Sequence, residues 1–273
     1  MVHHLILLSS GRSGTHLHQS MMKHGLEDAA VLGELFNPSS PFGLENATPD
    51  FIRLLEVESG IELDLGKAKP LAKYFREDPV FILGSLSRVC DRLGQGLLCY
   101  SILPKQLAAR SVEEMLFRFD CSCVFLTRNR LARYVSLVKA RQLGVWSGVD
   151  TTSLKPEITL EGFLEDAATT DGWFQFLSER VLTAGRAVRH LSYDAELNQP
   201  APTAFYSLQR KYQGICQLSA FDFSLILEFK QEREVDLFQS VSNGDEIREA
   251  LVEASLLDYA LAAPSLLSSD GYV

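Results

Sequence analysis

The chain has 273 residues, 46% of them hydrophobic, and a formal net charge of −9. That is enough apolar content for a large core. An acid excess spread along the chain argues against a general nucleic-acid or anionic-membrane surface, while leaving room for a small basic pocket around an anionic ligand.

No Pro/Ser linker, repeat or low-complexity run divides the chain, so one domain over 1–273 is expected. The apolar stretch Leu5–Leu8 is too short for a signal-peptide core, and no Lys or Arg precedes it. No apolar run approaches the roughly 18–20 residues that span a bilayer. The five cysteines (Cys90, Cys99, Cys121, Cys123, Cys216) form no C-x-x-C pair. They read as buried thiols in a reducing, cytoplasmic setting, and no metal site is expected.

In chain order, His4–Ser9 is an apolar strand and about Gly14–His24 a helix, with Gly25 as its stop. Ala29–Leu32 reads as a second strand. Thr48-Pro49-Asp50 is an N-cap followed by Pro at the first helical position, and Asp78-Pro79 repeats that signal before Val80–Leu93. Leu97–Ile102 is a strand closed by Pro104, and Ser111-Val112-Glu113-Glu114 reads as a capping box. Cys121–Thr127 is a strand and Arg130–Leu143 a helix. Helical spacing runs from Leu160 to Leu182, Ala187–Tyr193 is a strand, and Pro202–Cys216 and Asp245–Leu257 read as helices. Strands separated by helices predict an α/β fold of three layers, P-loop-like, with a central, mostly parallel sheet flanked by helices. In such sheets ligands bind beyond the carboxyl ends of the strands. The loops after Ser9, after Leu32 and after Thr127 should therefore meet.

The first of those loops reads Ser9-Ser10-Gly11-Arg12-Ser13-Gly14-Thr15. A tight turn opening a helix aims backbone N–H groups and the positive helix end at one point, which suits a phosphate. Arg12 adds a planar cationic fork. The nucleotide-hydrolase loop G-x-x-x-x-G-K-[ST] carries Lys and then Ser/Thr for the end phosphates and Mg²⁺. Here Thr15-His16 follows Gly14, and the cation comes earlier. At the third loop the strand ends in Thr127-Arg128, where a Mg-dependent enzyme often has Asp. Ser136 follows Arg128 by eight residues, about two helical turns. Both can reach one phosphate.

These paired motifs resemble those of the PAPS-dependent sulfotransferases, and within them the bacterial trehalose-type enzymes. Arg12, Ser13, Gly14 and Thr15 match the family loop for the 5′-phosphosulfate, and Arg128 with Ser136 matches its 3′-phosphate pair. Gly33-Glu34-Leu35-Phe36-Asn37-Pro38, the positions Ala140, Gly144 and Trp146, and His190–Leu197 are similar as well. The resemblance implies sulfuryl transfer from PAPS, leaving PAP, to a small-molecule or carbohydrate acceptor through a hydroxyl or an amine, without a metal. It gives Glu34 the role of general base, which a carboxylate at the end of the second strand also suits. Arg12 and the loop N–H groups would stabilise the leaving phosphate, with His16 a further cofactor contact. Against these stand a kinase or NTPase, and a non-catalytic nucleotide-binding module.

Other residues stay open. His16 and His18 could be ordinary helix residues, and Trp146 either anchors a core or walls the acceptor pocket. Lys105 follows Pro104 near a strand end; the matching strand in relatives carries a Lys before its end, where this chain departs with Tyr100 and Ser101. Lys230 and Arg233 lie where relatives place basic contacts to the 3′-phosphate. Exposed apolar surface leaves a homodimer open. Nucleic acid and membrane are not expected as partners.

Overall fold

A computed structural model describes residues 1–146, 149–226, 236–268 and 271–272, without the side chains of 268, 271 and 272. Strands β1 (His3–Ser9), β2 (Ala29–Val31), β3 (Leu97–Ile102), β4 (Cys121–Thr127) and β5 (Val188–Ser192) form one sheet in the order β2-β3-β1-β4-β5. Every pairing is parallel. The near-continuous apolar runs of β1 and β3 suit strands covered on both faces.

Side-chain alternation along β1 divides the core. Leu5 and Leu7 pack with α1 (Thr15–Gly25) and, later in the chain, α8 (Ala201–Tyr212), through Leu17, Met21, Phe205 and Leu208. Ile6 and Leu8 pack on the opposite face with α2 (Pro49–Ser59), α3 (Ala68–Glu77), α4 (Pro79–Arg92), α5 (Ala109–Arg118) and α7 (Leu160–Thr183). Each such buried aliphatic or aromatic side chain contributes about 1.5–3 kcal/mol relative to exposure. A third apolar cluster joins α6 (Arg130–Leu143) and α7 to α9 (Gly244–Glu253) and α10 (Leu257–Leu261). A two-stranded antiparallel pair, β6 (Leu267–Ser268) with β7 (Gly271–Tyr272), lies outside the main sheet.

Chain direction locates the crevice. From β1 the chain runs through α1, on one face, toward the β2 edge. From β4 it runs through α6 and then α7, on the other face, to β5. β1 and β4 are neighbours, so their following loops diverge between them, which is where open α/β sheets bind ligands.

The element boundaries follow the sequence closely at β3, β4 and α6, and depart where local signals mislead. Gly25 is the last helical residue of α1 and not a residue beyond it. Its lack of a side chain serves packing, since a Cβ there would lie 2.9 Å from the Phe205 ring. The capping box expected at Ser111 is not used: α5 begins at Ala109, with Ala108 as its uncapped start, so Ser111 falls inside the first turn. Thr48 and Asp78 do cap their helices, accepting from the N–H of Phe51 at 3.2 Å and of Phe81 at 3.0 Å. Helix α3 was not anticipated. β5 ends at Ser192, and Tyr193–Leu197 wind into a π-helical turn instead of finishing the strand. α8 stops at Tyr212, short of Cys216. α9 stops at Glu253, and α10 continues after a break.

Candidate anion-binding site

The loop after β1 is built by two residues with left-handed backbone, Arg12 at φ 71° and Gly14 at φ 89°. At Gly14 the need for glycine is double. The φ disfavours any side chain, and a Cβ would lie 2.4 Å from Cδ2 of Tyr193. The first intrahelical bond of α1 runs from the N–H of His18 to the carbonyl of Gly14 at 3.0 Å. The N–H groups before it have no partner within the helix, which leaves the positive helix end available to an anion.

Several contacts hold this loop to its surroundings. Ser10 and Ser13 share a hydrogen bond between hydroxyls at 2.9 Å. Thr15 Oγ1 donates to Ser9 Oγ at 3.3 Å, and Ser9 Oγ donates to the Leu126 carbonyl on β4 at 3.3 Å. From α7, Trp173 Nε1 donates to the Ser9 carbonyl at 3.1 Å. Ser13 and Thr15 are buried.

The resemblance gives Arg12 and the Arg128/Ser136 pair to opposite ends of one ligand, on loops expected to meet; the structure brings them into direct contact. Arg12 Nε donates to Ser136 Oγ at 3.1 Å, and an Arg128 Nη donates to the Arg12 carbonyl at 2.9 Å. The reason is the strand order: β1 and β4 are adjacent, so the two loops leave the sheet side by side. Arg12 also donates to the Trp146 carbonyl. The Arg128 guanidinium lies 4.6 Å from the centre of the Tyr193 ring, the same ring that backs Gly14. Its Nε is buried with no hydrogen-bond partner among the described residues.

Behind this surface the turn from β4 into α6 is pinned. Asn129 Oδ1 caps α6 by accepting from the Ala132 N–H at 2.9 Å, and its own N–H donates to Asp194 Oδ2 at 2.6 Å. Arg130 pairs with Asp171 at 2.9 Å, stacks on Tyr259, and donates to the carbonyls of Ala262 and Ala263. Arg133 pairs with Asp166. Burial, with Arg128 and Arg141 nearby, pushes the Arg133 guanidinium down to about 10. These inward arginines of α6 went unread in the sequence, because charge on a helix reads as solvent-facing.

Glu34 lies in the loop after β2. Among the described residues its Oε2 accepts two amide hydrogen bonds, from Asn37 Nδ2 at 2.8 Å and from Gln106 Nε2 at 2.9 Å. The loop is seated by a close backbone approach: Gly33 N–H donates to the Phe42 carbonyl at 3.1 Å, and a Cβ on Gly43 (φ 102°) would lie 2.1 Å from the Gly33 nitrogen. Ser101 ties the same corner to α1. Its N–H donates to the Gly33 carbonyl at 3.1 Å, and its hydroxyl accepts from Gln19 Nε2 at 2.8 Å. Gln106 was missed by the sequence reading. The signal available was the Pro104-Lys105 turn just before it.

The remaining candidates divide. His16 is exposed at the start of α1. His18 is a packed helix residue: its Nε2 lies 2.6 Å from the Tyr212 hydroxyl, and burial pushes it down to about 3. Trp146 is 53% exposed and so is no core anchor; it follows α6 where the chain leaves the core. Lys105 is exposed, with left-handed backbone at φ 67°. Lys230 and Arg233 lie outside the described residues. Of the cysteines, Cys90, Cys99, Cys121 and Cys123 are buried and Cys216 partly so. Burial pushes the Cys90 thiol up to about 12. Among the described residues no group of three His, Cys, Asp or Glu is placed to hold a metal, and no helix is long and apolar enough to cross a membrane.

No family model matches the chain, and no curated protein matches it. Among solved structures, the chain is similar to the sulfotransferase domain of the olefin synthase of Synechococcus PCC 7002. That match has 15% identity and a TM-score of 0.42, and covers 92% of this chain and 86% of that domain.

Proposed function

We infer that the protein is a sulfotransferase that binds PAPS in the β1–β4 crevice and transfers its sulfuryl group to a hydroxyl of a small-molecule or carbohydrate acceptor. The observation that carries this reading is the junction of Arg12, Ser136 and Arg128 beside a helix N-terminus. The donor set fits a doubly phosphorylated nucleotide. It consists of two guanidinium groups, the hydroxyl of Ser136, and the first N–H groups of α1. The buried, unpartnered Nε of Arg128 supports an anion there, because leaving such a donor unpaired costs about 1–3 kcal/mol.

Bound PAPS would supply the sulfuryl group, with the electron pair of the broken S–O bond passing to the departing 5′-phosphate. Arg12 and the N–H groups of Ser13–Thr15 hold that phosphate and stabilise the charge it gains. Arg128 and Ser136 hold the 3′-phosphate. Glu34 takes the proton of the acceptor hydroxyl as its oxygen attacks sulfur.

The test is binding followed by transfer. In EDTA, PAP should raise the melting temperature and bind by calorimetry, whereas ATP with Mg²⁺ should do neither. Incubation with labelled PAPS and a cell extract should move the label to a small molecule. Preference for ATP–Mg²⁺ would turn the reading to a kinase or NTPase. PAP binding with no labelled product would leave a nucleotide-binding module.

A further inference from the structure

We propose that Gln106 is a positioning residue for Glu34, holding one carboxylate oxygen so that the other faces the acceptor proton; this rests on the sulfotransferase reading above. Both amide donors that reach Glu34 converge on Oε2, and among the described residues Oε1 receives none. A carboxylate held this way keeps one oxygen, with its lone pairs, for the incoming proton.

Gln106 is suited to this task in a way that Asn37 is not. Asn37 belongs to the same short loop as Glu34, three residues on. Gln106 comes from the loop after β3, is 3% exposed, and is fixed at both ends of its amide. Its Oε1 accepts from the Leu103 N–H at 2.9 Å, so its Nε2 must be the atom that faces Glu34. Its backbone carbonyl accepts from Arg76 Nε at 2.8 Å. The turn that presents it is strained. Leu103-Pro104-Lys105-Gln106 closes with a hydrogen bond from the Gln106 N–H to the Leu103 carbonyl at 3.3 Å, and Lys105 sits at φ 67° where such turns favour glycine. Backbone strain of this kind persists where the surroundings over-determine it. Here the Arg76 and Leu103 contacts hold Gln106 in place against Glu34.

The discriminating variant is Gln106→Glu. It keeps an oxygen for the Leu103 N–H and the same side-chain length, but replaces the donor facing Glu34 with a second carboxylate oxygen. Gln106→Leu removes both bonds and reports what packing alone requires. PAP release from PAPS is followed with 2-naphthol and octyl glucoside as acceptors, water being present throughout, together with PAP binding by calorimetry and the melting temperature. For Gln106→Glu, kcat should fall at least 20-fold while the PAP Kd and the KM for PAPS stay within twofold. Turnover should recover with rising pH, as the paired carboxylates lose the proton they share. Gln106→Leu should lower kcat by about 10- to 150-fold, the range for one charge-assisted hydrogen bond. A Gln106→Glu enzyme with wild-type kcat and an unchanged pH profile overturns the positioning role alone. So does a loss of PAP binding in step with kcat, which would mark a folding role. A wild-type protein that neither binds PAP nor releases it from PAPS overturns the functional reading, and this inference with it.

Discussion

Replacing Gly14 with Ala should damage the loop by an amount the geometry sets. The new Cβ would lie 2.4 Å from Cδ2 and 2.7 Å from Cε2 of Tyr193, on a residue held at φ 89°. Placing a side chain in left-handed backbone costs about 1–2 kcal/mol. Forcing one methyl into a packed ring adds about 1–3 kcal/mol. The expected loss is therefore about 2–5 kcal/mol, a large share of the roughly 5–15 kcal/mol typical of a folded protein. Urea denaturation of four proteins separates the two parts: wild type, Gly14→Ala, Tyr193→Ala and the double variant. In the Tyr193→Ala background the steric part disappears and the backbone part remains. Gly14→Ala should then cost about 1–2 kcal/mol, giving a coupling of about 1–3 kcal/mol. PAP affinity should fall with Gly14→Ala, because the loop can escape the clash only by moving. Equal cost in both backgrounds, or a Gly14→Ala protein within about 0.5 kcal/mol of wild type, would refute the close approach of Tyr193 to this loop.

Arg128→Ala should weaken PAP at least tenfold more than adenosine 5′-phosphate, which lacks the 3′-phosphate; calorimetry with both nucleotides checks this, and equal losses would remove Arg128 from the 3′ side. Glu34→Gln should abolish measurable PAPS turnover while PAP binds within threefold of wild type, and retained turnover would dismiss Glu34 as the base. Acid should destabilise the fold through its buried histidines. Burial pushes His18 to about 3, and burial together with the neighbouring His3 pushes His4 to about 4, from an ordinary value of 6.5. Below pH 6.5 the unfolded chain takes up protons at these sites that the folded chain does not, so stability is full above that value and falls as pH drops toward 4 and then 3. Between pH 7.5 and 5.5 each should remove about 1.4 kcal/mol. Urea midpoints at the two pH values, compared with those of His18→Gln, read the effect, and a flat profile would contradict buried, neutral imidazoles.

The strand pattern and the tight turn that opens α1 were legible in the chain itself because their causes are local. β3, β4 and α6 stand where apolar runs, Pro104 and the Thr127-Arg128 step place them. Ser136 was singled out by its eight-residue, two-turn spacing from Arg128 and by the resemblance that gives that spacing a role. Glu34 was identified as a candidate from its place at a strand end. Its partner Gln106 lies on a different loop and had no local mark beyond a Pro-Lys turn. The same holds for Tyr193, which continues a strand by propensity yet leaves it to back both Gly14 and Arg128. Arg130 and Arg133 read as surface charge until α7 supplies Asp171 and Asp166.

What the sequence determined by itself is the set of short-range choices: which runs become strands, where helices open, and where a turn can present N–H groups to an anion. Each depends on residues within a few positions of one another. Tertiary structure decided how those pieces combine. By setting β1 beside β4 it turned an expected meeting of loops into a particular contact, Arg12 on Ser136, and by setting the β2 and β3 loops together it gave the carboxylate its amide partner. Such contacts join residues far apart in the chain, 124 positions in the case of Arg12 and Ser136. Periodicity and capping act only over a turn or two, so no local rule could have specified them.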